Sequence, residues 1–197
     1  MELRNDSLKI ERNLSELDKQ VIDFTGKLED LGVEYVVVSG YVAVLAGRSR
    51  GTEDVDIILE DMDEESTERV GSELKENGYW CINSAISEIH EMLEDDLAVR
   101  FAEEGKAIPN FEVRFASDRF ERDALTERLK VELDSDKLWI SPLELQVAYK
   151  LYLGSEKDME DALHLYKLFE EKLDEDKLEN YAEKLEAGGR LNELKES

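Results

Sequence analysis

Two aspartates, Asp54 and Asp56, stand two residues apart at the start of an apolar run that ends at Leu59. Side chains alternate across a β-strand, so a strand here would place both carboxylates on one face. Two adjacent carboxylates repel each other unless a cation lies between them. Mg²⁺ suits such a pair, because it prefers carboxylate oxygens and usually shares its coordination shell with substrate phosphates. The spacing predicts a magnesium site, although a chain with 50 acidic residues also contains D-x-D pairs by chance.

The segment before these aspartates has the order strand, glycine turn, helix and loop. Residues 35–38 form an apolar run that ends at Ser39-Gly40, and a short helical stretch and a loop over 47–52 follow. The free N–H groups at the start of a helix attract a phosphate, and glycine has no Cβ to block its approach. Ser39 and Gly40 are therefore predicted to bind phosphate, although a Ser-Gly pair after a strand is equally often a simple turn.

The order of these residues resembles a family signature. Written as G-x-x-A-x-x-x-G-x-x-R-x-T-x-D-[VI]-D, residues 40–56 are similar to the DNA polymerase β-like nucleotidyltransferase superfamily, and most of all to its minimal and abortive-infection-type branch. The superfamily usually has Gly-Gly or Gly-Ser at the turn, where this chain has Ser39-Gly40. The residues that carry the resemblance are Gly40, Ala43, Gly47, Arg50, Thr52, Asp54 and Asp56.

The resemblance implies an α/β (α+β) nucleotidyltransferase fold, in which a mixed central sheet is flanked by helices and followed by a C-terminal helical extension. It also implies transfer of a nucleoside monophosphate from a nucleoside triphosphate (NTP) to an acceptor hydroxyl on a protein, a tRNA or a small molecule, with a link to toxin–antitoxin systems. One or two Mg²⁺ ions would bind to Asp54 and Asp56 and stabilise the displacement. The nucleotide would contact Ser39, Gly40, Arg50 and Thr52.

A third carboxylate completes the metal site in this superfamily, on a strand that follows the D-x-D strand. Glu112 is the best positional match, with Asp118 behind it. Glu112 would bind the second metal and help to deprotonate the acceptor. It lies on an alternating strand, however, so it can equally be a solvated side chain that pairs with Arg100 or Arg114.

A second part of the resemblance covers residues 138–165, where a proline-led helix carries a lysine and leads into a Lys-Asp-x-x-Asp sequence. A lysine near a metal–phosphate centre neutralises phosphate charge, so Lys150 and Lys157 are predicted to bind the nucleotide. The alternative, which we favour for Asp161, is that Lys157, Asp158 and Asp161 cap the junction of two helices and fix the angle between them. The matching residues are Pro142, Lys150, Lys157, Asp158 and Asp161.

The composition limits the partners of the chain. Its 197 residues carry a formal net charge of −25, and 41% of them are hydrophobic, which supports a packed core. Such a surface repels nucleic acid, so tight binding of duplex nucleic acid is not expected. No apolar run reaches ~18 residues, so we expect a cytoplasmic protein without a membrane span. The acidity also suggests adaptation to high salt, where carboxylate repulsion is screened.

The rest of the chain predicts an α/β domain over residues 1–140 and a helical extension packed on it over 141–197. Apolar spacing predicts a helix over 7–31 and helical structure from 159 to 191. Ser141 and Pro142 predict a helix with a serine cap and a proline in its first turn. The C-terminal tail is more typical of packing or of a homodimer contact than of catalysis.

Two classes of function therefore remain open from the sequence. The first is the Mg²⁺-dependent enzyme. The second is a non-catalytic relative that binds a nucleotide or a cognate protein partner and has kept the fold. The altered turn at Ser39-Gly40 and the uncertain third carboxylate favour the second class.

Overall fold

The structure is a computed structural model that describes residues 1–4 and 7–196. Asn5, Asp6 and Ser197, which fall within the predicted domains 1–140 and 141–197, lie outside the described residues. The strands are β1 (Glu2–Leu3), β2 (Ser7–Ile10), β3 (Tyr35–Val37), β4 (Asp54–Leu59), β5 (Tyr79–Cys81), β6 (Val99–Glu103), β7 (Asn110–Phe115), β8 (Leu129–Leu133) and β9 (Asp136–Ile140). The helices are α1 (Glu16–Asp30), α2 (Gly40–Leu45), α3 (Glu64–Glu76), α4 (Ile89–Glu94), α5 (Arg119–Thr126), α6 (Leu143–Leu153), α7 (Glu156–Phe169), α8 (Glu175–Lys184) and α9 (Gly188–Glu196).

These strands form one nine-stranded sheet in the order β1-β2-β8-β9-β3-β4-β7-β6-β5. The pairs β2–β8, β3–β9 and β4–β7 are parallel, and the other neighbouring pairs are antiparallel. The sheet is therefore mixed, and helices pack on it and follow it at the C-terminus. This architecture confirms the predicted fold class. None of the helices in the described ranges is long and apolar enough to cross a membrane.

The centre of the sheet has one apolar face and one face that carries acidic side chains. On β4, Val55, Ile57 and Leu59 alternate with the acidic positions and are fully buried. Helix α1 covers the apolar face, where the ring of Phe24 stacks on Phe111 of β7 with 4.1 Å between the centroids. The opposite face carries the aspartates, and helices α5 and α6 close part of it. Helix α1 thus stabilises β4 from the face opposite the aspartates.

The N-terminal prediction was wrong in part, because residues 7–10 form a strand. Leu8 and Ile10 are buried while Ser7 and Lys9 are half-buried, which is strand periodicity, and β2 pairs in parallel with β8. The helix begins only after Ser15, whose side chain accepts a hydrogen bond from the backbone N–H of Asp18 in a capping box. The leucines before this cap belong to the sheet and its loop.

The helical extension also differs from its prediction in two details. Pro142 takes the N-cap position of α6 and Ser141 makes no side-chain cap, while Glu144 accepts a hydrogen bond from the backbone of Asp174. The chain beyond 159 is three helices rather than one run, and Gly188 begins the last of them, α9. The division at residue 140 follows the end of β9, and the two-domain organisation stays a prediction.

Candidate active site

The two aspartates lie on one face of β4, as their spacing predicted. Strand β4 runs parallel to β7, with Asp54 opposite Asn110 and Asp56 opposite Glu112. Asp54 is exposed at the start of the strand and Asp56 is half-buried. Because residues in register on neighbouring strands project to the same face, three carboxylates and one amide share this end of the sheet.

Asp56 lies in an environment that disfavours its own charge. Burial raises the pKa of the Asp56 carboxyl, and the neighbouring Glu112 and Asp54 raise it further, while the Ser39 hydroxyl and Arg114 act in the opposite direction. A cation next to Asp56 would offset both the burial and the repulsion. This electrostatic pattern is what a cation-binding carboxylate pair requires.

Asn110 holds Asp54 and was not predicted from the sequence to belong to the site. Its Nδ2 donates a hydrogen bond to Oδ1 of Asp54 at 2.5 Å, which leaves the other carboxylate oxygen available. The Asn110 side chain is buried, and its Oδ1 has no hydrogen-bond partner among the described residues. The signal in the sequence was its position two residues before Glu112, which mirrors the spacing of Asp54 and Asp56.

Glu112 is next to Asp56 but is already paired. Nε of Arg100, on β6, donates to Oε2 of Glu112 at 2.8 Å. Asp118, the second candidate, caps α5 by accepting a hydrogen bond from the backbone N–H of Glu121. Across residues 1–4 and 7–196, no group of three or more His, Cys, Asp and Glu side chains is arranged to hold a metal ion. The role of Glu112 in a second metal site stays a prediction.

The turn between β3 and α2 is held in an unusual conformation. Ser39 has φ 61° and ψ −130°, a region that glycine adopts far more easily than serine. The side-chain amide of Gln146, which is buried on α6, makes two hydrogen bonds to this residue. Its Oε1 accepts from the backbone N–H of Ser39 at 3.2 Å, and its Nε2 donates to the Ser39 carbonyl at 2.9 Å. Gln146 thereby fixes the turn and connects it to the C-terminal helices.

A guanidinium group lies against the backbone of Gly40. A Cβ at this position would overlap Nη2 of Arg50. The same Nη2 donates to Oδ2 of Asp161 at 3.0 Å, and the Nε of Arg50 is buried without a hydrogen-bond partner among the described residues. The close approach that we predicted for a phosphate is thus made by Arg50, which stands beside the turn. A contact between Arg50 and a phosphate stays a prediction.

Asp161 is the centre of a buried ionic cluster that links the loop 47–52 to helices α6 and α7. It is fully buried and also accepts from Nε of Arg48 at 2.8 Å. Nζ of Lys150 lies 3.4 Å from Asp161 and 2.6 Å from Asp158. The cluster supports the structural alternative for Asp161, and it also engages Lys150, which was predicted to bind the nucleotide.

The remaining predicted residues lie at the edges of the site. The Thr52 hydroxyl donates to the backbone carbonyl of Asp54 at 2.8 Å and so shapes the start of β4. Lys157 is exposed in the first turn of α7. The structure therefore brings Ser39, Asp54 and Asp56 together, with Gly40 beside Arg50. It does not place Lys157 in the ionic cluster.

A cavity of about 230 Å³ adjoins Asp56 and Ser39. It lies between the acidic face of the sheet and helices α5 and α6, and side chains of both helices line it. This cavity was not predicted from the sequence, because its walls come from segments that are distant in the chain, such as β4, α5 and α6. Asp56 lines the cavity, and Asp54, two residues before it on β4, is exposed to solvent.

The surroundings of the carboxylate pair fit a magnesium ion. Mg²⁺ binds through one or two carboxylates and completes its shell with water and substrate phosphates, so it does not require three protein acids. Asp54 has a free oxygen beside its bond to Asn110, and the pKa of Asp56 is raised by burial and by neighbouring negative charge. Asp54 and Asp56 are the residues that would hold the ion.

Comparison with known proteins gives structural similarity only. The chain matches no protein-family model, and no curated protein is similar to it in sequence. An antigenic nucleotidyltransferase-like protein from Paracoccidioides brasiliensis superposes with a TM-score of 0.58 at 16% identity, over 91% of each chain. The lincosamide antibiotic adenylyltransferase LnuA superposes with a TM-score of 0.53 at 18% identity, over 80% of this chain and 99% of its own.

A third similar structure is the antibiotic-resistance factor ANT(2'')-Ia, with a TM-score of 0.52 at 11% identity. The match covers 91% of this chain and 97% of that protein. At these identities the similarity establishes the fold and not the activity. The chain has the fold of the nucleotidyltransferases.

Proposed function

We propose that the protein transfers a nucleoside monophosphate from an NTP to an acceptor hydroxyl. The observation that carries this proposal is the pair Asp54 and Asp56, placed on one face of β4 beside the Ser39-Gly40 turn in a nucleotidyltransferase fold. The raised pKa of Asp56, caused by burial and by adjacent carboxylates, supports a cation at this position. The cavity beside the pair supplies room for part of a substrate.

In the proposed reaction, the acceptor oxygen attacks the α-phosphorus of the NTP. The bond from that phosphorus to the bridging oxygen breaks, and pyrophosphate leaves on the opposite side. A magnesium ion bound to Asp54 and Asp56 would neutralise the phosphate charge that develops in this step. Asn110 positions Asp54 for this contact. Nothing in this scheme requires a covalent intermediate on the protein.

Two further groups of the chain support triphosphate binding. The Ser39-Gly40 turn opens a helix, whose first backbone N–H groups have no partner within the helix and are suited to phosphate oxygens. Arg50 holds its guanidinium against the same turn, and its Nε is a buried donor without a partner among the described residues. A buried donor of this kind costs stability unless it is satisfied, and a phosphate oxygen would satisfy it. Glu112 would take the proton of the acceptor hydroxyl.

A small molecule is the acceptor that the similar structures favour. LnuA is described as a lincosamide antibiotic adenylyltransferase and was solved with lincomycin, and ANT(2'')-Ia was solved with adenylyl-2''-tobramycin. The net charge of −25 also disfavours an unassisted contact with tRNA. Membership of the minimal or abortive-infection-type branch, a toxin–antitoxin role, a homodimer and high-salt adaptation stay predictions that rest on the sequence.

Pyrophosphate release tests the proposal. The purified protein is incubated with Mg²⁺, each of the four NTPs, and lincomycin, tobramycin or tRNA, and label transfer from an α-³²P-NTP identifies the acceptor. We expect transfer to one small-molecule acceptor, reduced at least about 100-fold in Asp54→Asn and Asp56→Asn. Asp61→Asn is the matched control, because it removes one exposed carboxylate just beyond β4. Wild-type activity in Asp54→Asn and Asp56→Asn, as in the control Asp61→Asn, would refute the proposed role of the pair.

One observation favours a second function, that of a non-catalytic nucleotide-binding or protein-interaction relative. Lys150 and Arg50, predicted to bind the nucleotide, are already engaged by Asp161, and Glu112, predicted to be catalytic, is engaged by Arg100. These groups are therefore satisfied without a substrate. A protein of this class would bind Mg²⁺ and NTP without releasing pyrophosphate in the presence of any acceptor. The same assay, run together with a binding titration, separates the two functions.

A further inference from the structure

The cavity beside Asp56 has walls that differ from the rest of this acidic protein. It follows the acidic face of β4 from Asp56 to Ile58, a step of roughly 7 Å along a strand. We call it the apolar slot. Its apolar walls come from β4, α5 and α6, and they are formed by Ile58, Phe120, Ala124, Leu145, Tyr149 and Leu153.

Two of the three charged residues that line the apolar slot, Arg114 and Glu121, form an ion pair with each other. Nη2 of Arg114 lies 2.8 Å from Oε1 of Glu121, whose side chain is buried. Apart from this ion pair, Asp56 is the only charged residue that lines the slot among the described residues. An uncharged ring suits such walls better than a polycation or a phosphate does.

The two aromatic residues of the slot are not fully buried in the core. Phe120 and Tyr149 are both half-buried, and the Tyr149 hydroxyl makes no hydrogen bond with any described residue. Ser141, which is buried, also lines the slot. An aromatic ring stacks on any nucleobase, and the Tyr149 hydroxyl can bond to the polar edge of such a base.

The position of the slot favours the nucleotide over the acceptor as the molecule that occupies it. Ser39 and Asp56 belong both to its wall and to the proposed triphosphate site, so a molecule in the slot is continuous with the phosphates. The opposite side, at Asp54 and the Arg100–Glu112 pair, is exposed. An acceptor must approach opposite the leaving pyrophosphate, and this exposed side has room for a larger molecule. The volume of about 230 Å³ is below the ~300–1,000 Å³ of pockets that enclose drug-sized ligands.

We propose that the apolar slot binds the nucleobase of the NTP, with the base beside Tyr149 and the triphosphate at Ser39, Gly40 and Asp56. This inference rests on the proposed function, because it assumes that a triphosphate binds at the aspartates. It adds the residues that distinguish a nucleotide from inorganic polyphosphate. The slot thereby makes the protein selective for a nucleotide over its phosphate chain alone.

Calorimetric titration of ATP, GTP, CTP, UTP and inorganic triphosphate, each with Mg²⁺, tests the slot. We expect Tyr149→Ala to weaken the binding of the preferred NTP about 10-fold through lost stacking, and to leave the binding of inorganic triphosphate unchanged. Tyr149→Phe keeps the ring and should lose much less. Leu153→Trp, which narrows the slot from an exposed position, should also weaken only the NTP. Leu163→Trp is the matched control on an exposed position of α7.

The outcomes separate the slot from the proposed function. If wild type binds NTP and both slot variants bind it equally well, the base does not occupy the slot, and the proposal is overturned while the triphosphate site stands. If wild type binds neither NTP nor inorganic triphosphate, the proposed function fails as well. Thermal denaturation shows whether Tyr149→Ala is folded, and Leu153→Trp carries the test if it is not.

Discussion

Replacement of Asp161 by asparagine tests whether the buried ionic cluster holds the site together. Asp161 is fully buried and accepts from Nε of Arg48 at 2.8 Å and Nη2 of Arg50 at 3.0 Å, with Nζ of Lys150 at 3.4 Å. The asparagine has the same shape but no charge. Arg48 retains Glu160 and Lys150 retains Asp158, whereas Arg50 loses the carboxylate it pairs with.

The magnitude follows from the burial of the cluster. Removal of one partner from a buried ion pair costs about 3–5 kcal/mol, because the remaining charge stays buried without compensation. For a chain of this length, ~1 kcal/mol corresponds to about 2–4 °C in Tm. We therefore expect Asp161→Asn to lower Tm by about 10 °C, with a matching fall in the free energy of unfolding. The loss should persist in 1 M KCl, since buried pairs are only weakly screened by salt.

Urea denaturation followed by circular dichroism is the appropriate assay, with Glu160→Gln as the control. Glu160 also pairs with Arg48, but 56% of its side chain is exposed. Its replacement changes the net charge by the same amount and should cost less than ~1 kcal/mol. If the free energies of unfolding of Asp161→Asn and Glu160→Gln differ by less than ~1 kcal/mol, the cluster does not stabilise the loop 47–52. Asp161 then does not hold Arg50 beside the turn as described above.

Three more predictions concern the turn and the carboxylates. Ser39 has φ 61°, a conformation that costs free energy for residues with a Cβ, so Ser39→Gly should be at least ~1 kcal/mol more stable than Ser39→Ala in urea titrations. Equal stability of the two variants would show that the backbone is not strained at this residue. Gln146→Leu leaves the Ser39 N–H and carbonyl without partners and should cost about 2 kcal/mol by the same method, and a neutral effect would show that water replaces the amide. Burial raises the pKa of Asp56, so the protonated carboxyl favours the folded state. This contribution to the free energy of unfolding is complete below pH 3.8, the usual pKa of an aspartate, and it is lost as pH rises through the raised pKa. Asp56→Asn should therefore increase the free energy of unfolding at pH 7 in EDTA, and a gain that does not shrink toward pH 3.8 would exclude this cause.

The local elements were predictable where a segment carries its own signals. The strand–turn–helix–strand order over 35–59 follows from apolar runs interrupted by Ser39-Gly40 and the loop 47–52, and the structure has these elements in this order. The alternation of Asp54, Val55 and Asp56 correctly placed both carboxylates on one face. Short-range periodicity failed at residues 7–10, because only pairing with β8 decides that this segment is a strand.

Contacts between distant segments could not be predicted in the same way. Gln146 lies 107 residues from Ser39, and Arg50 lies 111 residues from Asp161, so no local spacing indicates either contact. Helix α6 is apolar around most of its circumference, and a buried glutamine in it has no distinctive pattern. The slot has the same origin, because its walls are assembled only when α5 and α6 pack over β4.

Metal-dependent nucleotide binding tests the central claim most directly. ATP, GTP, CTP and UTP are titrated by calorimetry with and without Mg²⁺, in high salt, into wild type, the double variant Asp54→Asn/Asp56→Asn and the control Asp61→Asn. We predict binding of at least one NTP that requires Mg²⁺, is lost in the double variant and is retained in the control. Absence of binding by every NTP, or binding that the double variant retains, would contradict the assignment of Asp54 and Asp56 as the metal–nucleotide site.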